Sequence, residues 1–188
     1  MVEPLLEIRD LVVGYRTPVV GPFSLIVQPG EAIGLAGPNG SGKSTLLRAI
    51  ANGARIFEGC VLRRRGLTVA WQQQQPVMPE GMPFNGRDYL NCAEADLARV
   101  PPRLAGWLDV RVDSLSGGQF QLLSVWAALG GASDLVLLDE PTNNLDPEGE
   151  HLLVEALVGG LDSRAALVVS HERRFLERTC THVLEVGG

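Results

Sequence analysis

The chain has 188 residues, of which 45% are hydrophobic and 20% charged, and its formal net charge is −6. That length and apolar content suit one domain with its own core, and the acidic balance argues against broad nucleic-acid binding as its main task. Cys60, Cys92 and Cys180 are scattered, odd in number and without metal-ligand spacing, so they read as buried thiols of a reducing cytosolic compartment rather than a disulfide framework.

No segment is apolar over a bilayer-spanning length. The longest such runs, residues 135–138 and 165–169, are strand-sized, and Glu3 and Glu7 stand where a signal peptide would carry positive charge and then an apolar run. The expectation is a soluble chain whose membrane role, if any, needs a separate partner. The arginine runs at 63–65 and 173–174 are short and read as solvated surface.

In chain order, an N-terminal β segment is expected over 5–13 and 23–27. A buried strand follows over 32–36, then a glycine loop, then a helix over 43–51 with Leu46, Leu47 and Ile50 on one face. Another strand is expected over 67–71. The stretch from 72 to about 113 is loop-rich, with Pro76, Pro79, Pro83, Pro101 and Pro102 and a helix over 87–98. The remainder alternates: helix 116–129, strand 135–138, helix 148–157, strand 167–170, helix 172–179 and strand 183–186. Such alternation builds an α/β domain, a mainly parallel sheet covered by helices.

Two patterns carry chemistry. The run Gly37, Pro38, Asn39, Gly40, Ser41, Gly42, Lys43, Ser44, Thr45 satisfies every fixed position of the phosphate-loop pattern, in the strand-loop-helix context that the pattern requires. Its glycines let backbone N–H groups turn inward, and the following helix adds its positive end. Lys43 would reach the β- and γ-phosphates of ATP, Ser44 would place its hydroxyl on Mg²⁺, and Thr45 would support the phosphates. Lys43 is the sole lysine in the chain.

The second pattern is DLVLLDEPTNNLD, residues 134–146. A buried strand delivers Asp139 and Glu140 to the carboxyl edge of the sheet, where open α/β sheets bind ligands. Phosphoryl transfer to water needs a carboxylate to hold the metal and a group to activate the water; Asp139 fits the first role and Glu140 the second.

Together with LSGGQ at 115–119 and His171 after a later strand, these runs are similar to the nucleotide-binding domain of the ATP-binding cassette (ABC) superfamily, over nearly the whole chain. The resemblance implies one cassette over 1–188, with a P-loop core, an N-terminal antiparallel β segment and a reduced helical subdomain near 75–115. It implies that Tyr15 stacks on adenine and that Gln74 contacts Mg²⁺ and water, with Gln73 or Gln75 as alternatives. Ser116, Gly117, Gly118 and Gln119 would form the signature that meets the γ-phosphate bound to the opposite subunit. Asp146 would end the loop that crosses the dimer interface, and His171 would contact the γ-phosphate.

The implied function is an Mg-dependent ATPase subunit that dimerises with a second copy or a homologous cassette around two Mg·ATP. It would drive an integral-membrane permease from the cytoplasmic face, without direct nucleic-acid binding. The alternative is a soluble cassette of the translation-factor type, since EPTNNLD and SHERRFL are similar to that branch; the charged linker and second cassette usual there do not occur in this sequence. The chain departs from many cassettes at Leu122 and Ala127, where arginine is common.

Overall fold

The computed structural model describes residues 3–75, 83–159 and 161–187. Strands β1 (Leu6–Gly14), β2 (Pro18–Val27) and β4 (Arg55–Arg63) form an antiparallel sheet in the order β2-β1-β4. Strands β3 (Ala32–Ala36), β5 (Val69–Gln72), β6 (Leu135–Asp139), β7 (Ala165–Val169) and β8 (His182–Glu185) form a parallel sheet in the order β5-β6-β7-β3-β8. The helices are α1 (Lys43–Ile50), α2 (Gly86–Cys92), the single turn α3 (Pro102–Ala105), α4 (Gly117–Gly130), α5 (Pro147–Gly159) and α6 (Arg173–Thr179).

Strand periodicity divides the core. Leu135, Leu137, Ala165, Leu167 and Val169 face one side of the parallel sheet, where they meet Leu46, Leu47 and Ile50 of α1 and the inner side of the antiparallel sheet, including Leu6 and Ile8. The alternate residues Val136, Leu138, Ala166 and Val168 face the other side, against Val125 of α4, Leu153 of α5 and Phe175 and Leu176 of α6. Helix α1 is therefore sandwiched between two sheets, and truncating a fully buried side chain such as Leu46 to alanine should cost about 2–5 kcal/mol.

A third cluster joins α2, α3 and the front of α4 through Leu90, Leu104, Phe120, Leu122 and Leu123. Leu122 and Ala127, where arginine is common in cassettes, are buried here. Helix α4 is apolar nearly all round because it serves two cores at once.

Several expectations need correction. Strand β4 was not anticipated: its exposed Arg55, Glu58 and Arg63 hide the alternation. The helix expected over 87–98 stops at Cys92, where Glu94 takes a left-handed φ of 55° and Asp96 starts a short 3₁₀ turn, Leu97–Arg99. Strand β2 starts at Pro18 rather than 23, and β5 ends one residue later than expected, at Gln72. Cys92 is exposed and Cys60 and Cys180 are half-buried, so the thiols are not all interior. Pro76 and Pro79 fall outside the described residues.

Polar ties close the amino edge of the parallel sheet. Asp134 accepts the Thr68 N–H and hydroxyl at 2.9 Å each and pairs with Arg64 at 2.6 Å. Arg164 donates to Leu129 O at 2.7 Å, satisfying a carbonyl at the end of α4, and to Ser133 O at 2.8 Å in the segment that leads into β6. Among the described residues no helix is long and apolar enough to cross a membrane.

Candidate active site

The carboxyl ends of β3, β5, β6 and β7 converge on one side of the parallel sheet, and the residues read as chemical in the sequence follow those strands. The phosphate loop leaves β3 at Ala36. Gly37 has φ 146°, and a Cβ there would stand 2.5 Å from Val186 O; Gly42, at φ 96°, would place one 2.5 Å from Val20 Cβ. These two positions need glycine both for conformation and for space.

Lys43, the first residue of α1, is 6% exposed, and its Nζ donates to Gly37 O at 2.7 Å and Pro38 O at 2.9 Å. The loop thus curls around its own ammonium group. Ser41 Oγ is buried with no hydrogen-bond partner among the described residues, a hydroxyl that fits a phosphate oxygen. Thr45 is buried, and Pro38, Asn39 and Gly40 form the exposed rim.

Ser44 Oγ donates to Asp139 Oδ1 at 2.9 Å. Burial pushes the Asp139 carboxyl above its usual pKa, the Ser44 hydrogen bond opposes this, and neighbouring Glu140 adds to the rise. A hydroxyl and a desolvated carboxylate side by side suit Mg²⁺, a hard cation that takes oxygen ligands and would supply the missing positive charge.

Glu140 is 5% exposed and has a left-handed φ of 49°, costly for a residue with a side chain. That turn lets Glu140 leave the strand and reach His171 across β7. His171 Nδ1 lies 2.8 Å from Glu140 Oε2, and the His171 N–H reaches the same oxygen at 3.3 Å. A cavity of about 380 Å³ is lined by Val19, Asn39, Gly40, Gly42, Lys43, Ser44, Thr45, Gln74 and Glu140. Of the three candidate glutamines, Gln74 is the one in this lining; Gln73 lines a different cavity beside β5.

The signature residues gather elsewhere. Ser116 caps α4 in a capping box: Gln119 N–H donates to Ser116 Oγ at 3.3 Å, and Ser116 N–H donates to Gln119 Oε1 at 2.9 Å. Gly117, the first residue of α4, is exposed. Ser116, Gly118, Gln119 and Asp146 line a second cavity of about 260 Å³ together with Asn144 and Arg103. The two linings share no residue, so within one chain the signature stands apart from the phosphate loop.

Tyr15 is 46% exposed on the β1–β2 turn rather than buried in the core. Its hydroxyl accepts a 2.6 Å hydrogen bond from Arg48 of α1. Tyr15 lies outside the lining of the phosphate-loop cavity, to which the same hairpin contributes Val19.

Three supporting residues escaped the sequence reading. Gln121, buried in α4, donates at 3.4 Å to the carbonyls of Glu140 and Pro141. Thr142 Oγ1 donates to Glu172 Oε1 at 2.9 Å, joining the segments that follow Glu140 and His171. Arg103 pairs with Asp146. A buried glutamine in an otherwise apolar helix was the one available signal; the other contacts join residues distant in sequence. Two larger cavities, of about 510 and 700 Å³, contain no phosphate-loop residue.

The family model described as "ABC transporter" matches residues 20–143. The chain is 34% identical to the zinc import ATP-binding protein ZnuC of Paracoccus denitrificans, covering 98% of this chain and 77% of that protein. It is 35% identical to the Nod factor export ATP-binding protein I of Cupriavidus metallidurans, covering 90% of this chain and 64% of that protein. A solved structure described as the ATP binding subunit of an ABC transporter superposes with a TM-score of 0.85 at 26% identity, over 97% of this chain and 85% of the other. A bacterial Atm1-family ABC exporter with ATP bound gives 0.80 at 19% identity, a likeness of fold, over 99% of this chain and 38% of that one.

Proposed function

Because the chain belongs to the ABC transporter family as an ATP-binding, ATP-hydrolysing subunit, we propose that two cassettes close on two molecules of Mg·ATP and drive a separate membrane permease from the cytoplasmic side. The observation that carries this reading is the Glu140–His171 pair at a cavity that also contains Lys43 and Ser44. Glu140 is the general base for the attacking water, and His171 orients its carboxylate. Lys43 exchanges its two carbonyl contacts for phosphate oxygens, and the N–H groups of the loop and of α1 hold the rest of the triphosphate. Ser44 and Asp139 would hold Mg²⁺, with Gln74 in the same cavity lining as Ser44, and the ion would supply positive charge toward the phosphates.

The separation of the two cavities supports the shared-site reading. Ser116 and Gly118, at the positive end of α4, line a cavity that contains no phosphate-loop residue among the described residues, which supports a γ-phosphate brought by the other cassette. Tyr15, exposed and held by Arg48, offers its ring to adenine. The helical region around α2 and α3 is the face proposed for the permease.

Cargo does not follow from this chemistry. Relatives of nearly equal identity carry names of opposite direction, zinc import and Nod factor export, so the shared residues govern ATP chemistry rather than what is moved. The test is ATP hydrolysis by the purified chain with Mg²⁺ and with excess chelator. Hydrolysis that requires the divalent ion is expected; failure to bind ATP at millimolar concentration would sink the reading.

A further inference from the structure

We infer that Arg103 is a positioning residue for ATP turnover, fixing the loop between Glu140 and α5 and the rim of the Ser116 cavity. The inference rests on the functional reading above. Arg103 sits on α3, outside every motif that the sequence singles out. Its Nη2 donates to Asp146 Oδ2, and its Nη1 lies 2.8 Å from Glu148 Oε2, an ion pair without the alignment of a hydrogen bond. The guanidinium carbon stands 5.7 Å from the centre of the Trp107 ring, and the side chain is only 22% exposed. A planar fork can hold two carboxylates at once, which a lysine ammonium cannot do with the same geometry.

Helices α3 and α4 hold the loop at three places, in addition to the Thr142–Glu172 hydrogen bond. Near its start, Gln121 donates to the carbonyls of Glu140 and Pro141. In the middle, the backbone of Gly118 lies so close to Asn144 that a Cβ there would stand 2.4 Å from Asn144 O. At its end, Asp146 accepts from Gly149 N–H at 2.9 Å through one oxygen and from Arg103 through the other. Gln121 and Gly118 belong to α4, whereas Arg103 reaches in from α3.

Two residues in this segment, Glu140 and Asn144, have left-handed φ values of 49° and 61°. Such conformations persist only where surrounding contacts impose them. Releasing the Arg103 end lets the loop relax, displacing the Glu140 carboxylate at one end and the wall of the Ser116 cavity at the other. None of the three anchors touches Lys43, Ser44 or Thr45, so nucleotide binding in the chain's own phosphate loop is spared.

The experiment compares kcat, KM and ATP affinity for the parent, Arg103→Ala, Arg103→Lys, Glu148→Gln and the double variant Arg103→Ala/Glu148→Gln, with urea unfolding of each. Arg103→Ala should lower kcat about 10-fold with KM and affinity within about twofold of the parent, and Arg103→Lys should fall between. Glu148→Gln should lose about two- to threefold, and the double variant should be no worse than Arg103→Ala alone. A lower urea midpoint with parental kcat per folded molecule would make the contact merely structural and overturn the inference. Should Arg103→Ala fail to fold, parental kcat in both Arg103→Lys and Glu148→Gln overturns it equally. A parent chain that hydrolyses no ATP is a different result, and it removes the functional reading itself.

Discussion

His171 Nδ1 and Glu140 Oε2 are 2.8 Å apart although 31 positions separate the residues, because β6 and β7 are adjacent parallel strands that end side by side. With Glu140 ionised, Nδ1–H donates to it and leaves Nε2 for another partner. Replacing Glu140 by Gln keeps the shape and removes the proposed base. Turnover should fall by about 10²- to 10⁴-fold while fluorescent ATP analogues bind with parental affinity; His171→Ala should cost about 10- to 100-fold. Turnover of Glu140→Gln equal to the parent would reassign the base.

Blocking hydrolysis should also stabilise the assembled state. Ser116 and Gly118 lie in a cavity separate from Lys43, and the proposed function has two chains meet to complete each site. Light scattering of Glu140→Gln in excess Mg·ATP should therefore give twice the mass seen without nucleotide. A mass that stays at the monomer value would argue against shared sites in the isolated chain.

Lys43 is the single side-chain amine, so amine acylation followed by peptide mapping reports on it and on the N-terminus alone. The structure sharpens the expectation. At 6% exposure and with two carbonyl acceptors, Lys43 should label more slowly than the N-terminus even without nucleotide. Mg·ATP should slow it further, in proportion to site occupancy, and leave the N-terminal rate unchanged. Equal Lys43 labelling with and without saturating ATP would place the phosphates elsewhere.

Asp134 gives a prediction about pH. The Thr68 N–H, the Thr68 hydroxyl and the Arg64 guanidinium all favour its ionised form and hold its pKa below the ordinary aspartate value. The native state therefore binds the proton less readily than the unfolded chain. The stabilisation is complete above the unfolded value, about 3.9, and is lost as pH falls through the lower native one. Asp134→Asn should cost about 1 kcal/mol at pH 7, a modest figure because the group is partly solvated, and the difference from the parent should shrink below about pH 4. Urea unfolding at several pH values measures this, and a pH-independent difference would contradict it.

Legibility in the sequence followed the range of the forces involved. The phosphate loop and the buried strands are local, so adjacent residues announce them. Strand β4 was missed because its charged side chains face solvent on a three-stranded sheet and it is specified by pairing with β1 across more than forty positions. The helix after Arg87 is shorter than its sequence suggests, because alanine and leucine continue the helical pattern beyond Cys92 while the turn at Glu94 is set by tertiary contacts, including Asp96 N–H to Gly130 O at 2.9 Å. In the site, Asp139, Glu140 and His171 were readable from their places after strands. Arg103, Thr142 and Arg48 were not, since each acts on a segment distant in sequence, and Gln121 offered only its polarity within a mainly apolar helix.

Asp134 and Arg164 brace the amino ends of the strands, and the groups proposed for catalysis stand at the carboxyl ends. Mechanically, this makes the sheet a plate clamped along one margin, with its working margin joined by loops. Amide protons of β6 and β7 near the clamp should be among the last to exchange with deuterium, and those of the exposed Asn39 and Gly40 on the phosphate-loop rim among the first. ATP can then draw the loops together without disturbing the layers beneath, so the work of closing falls on a few short spans of backbone rather than on the core.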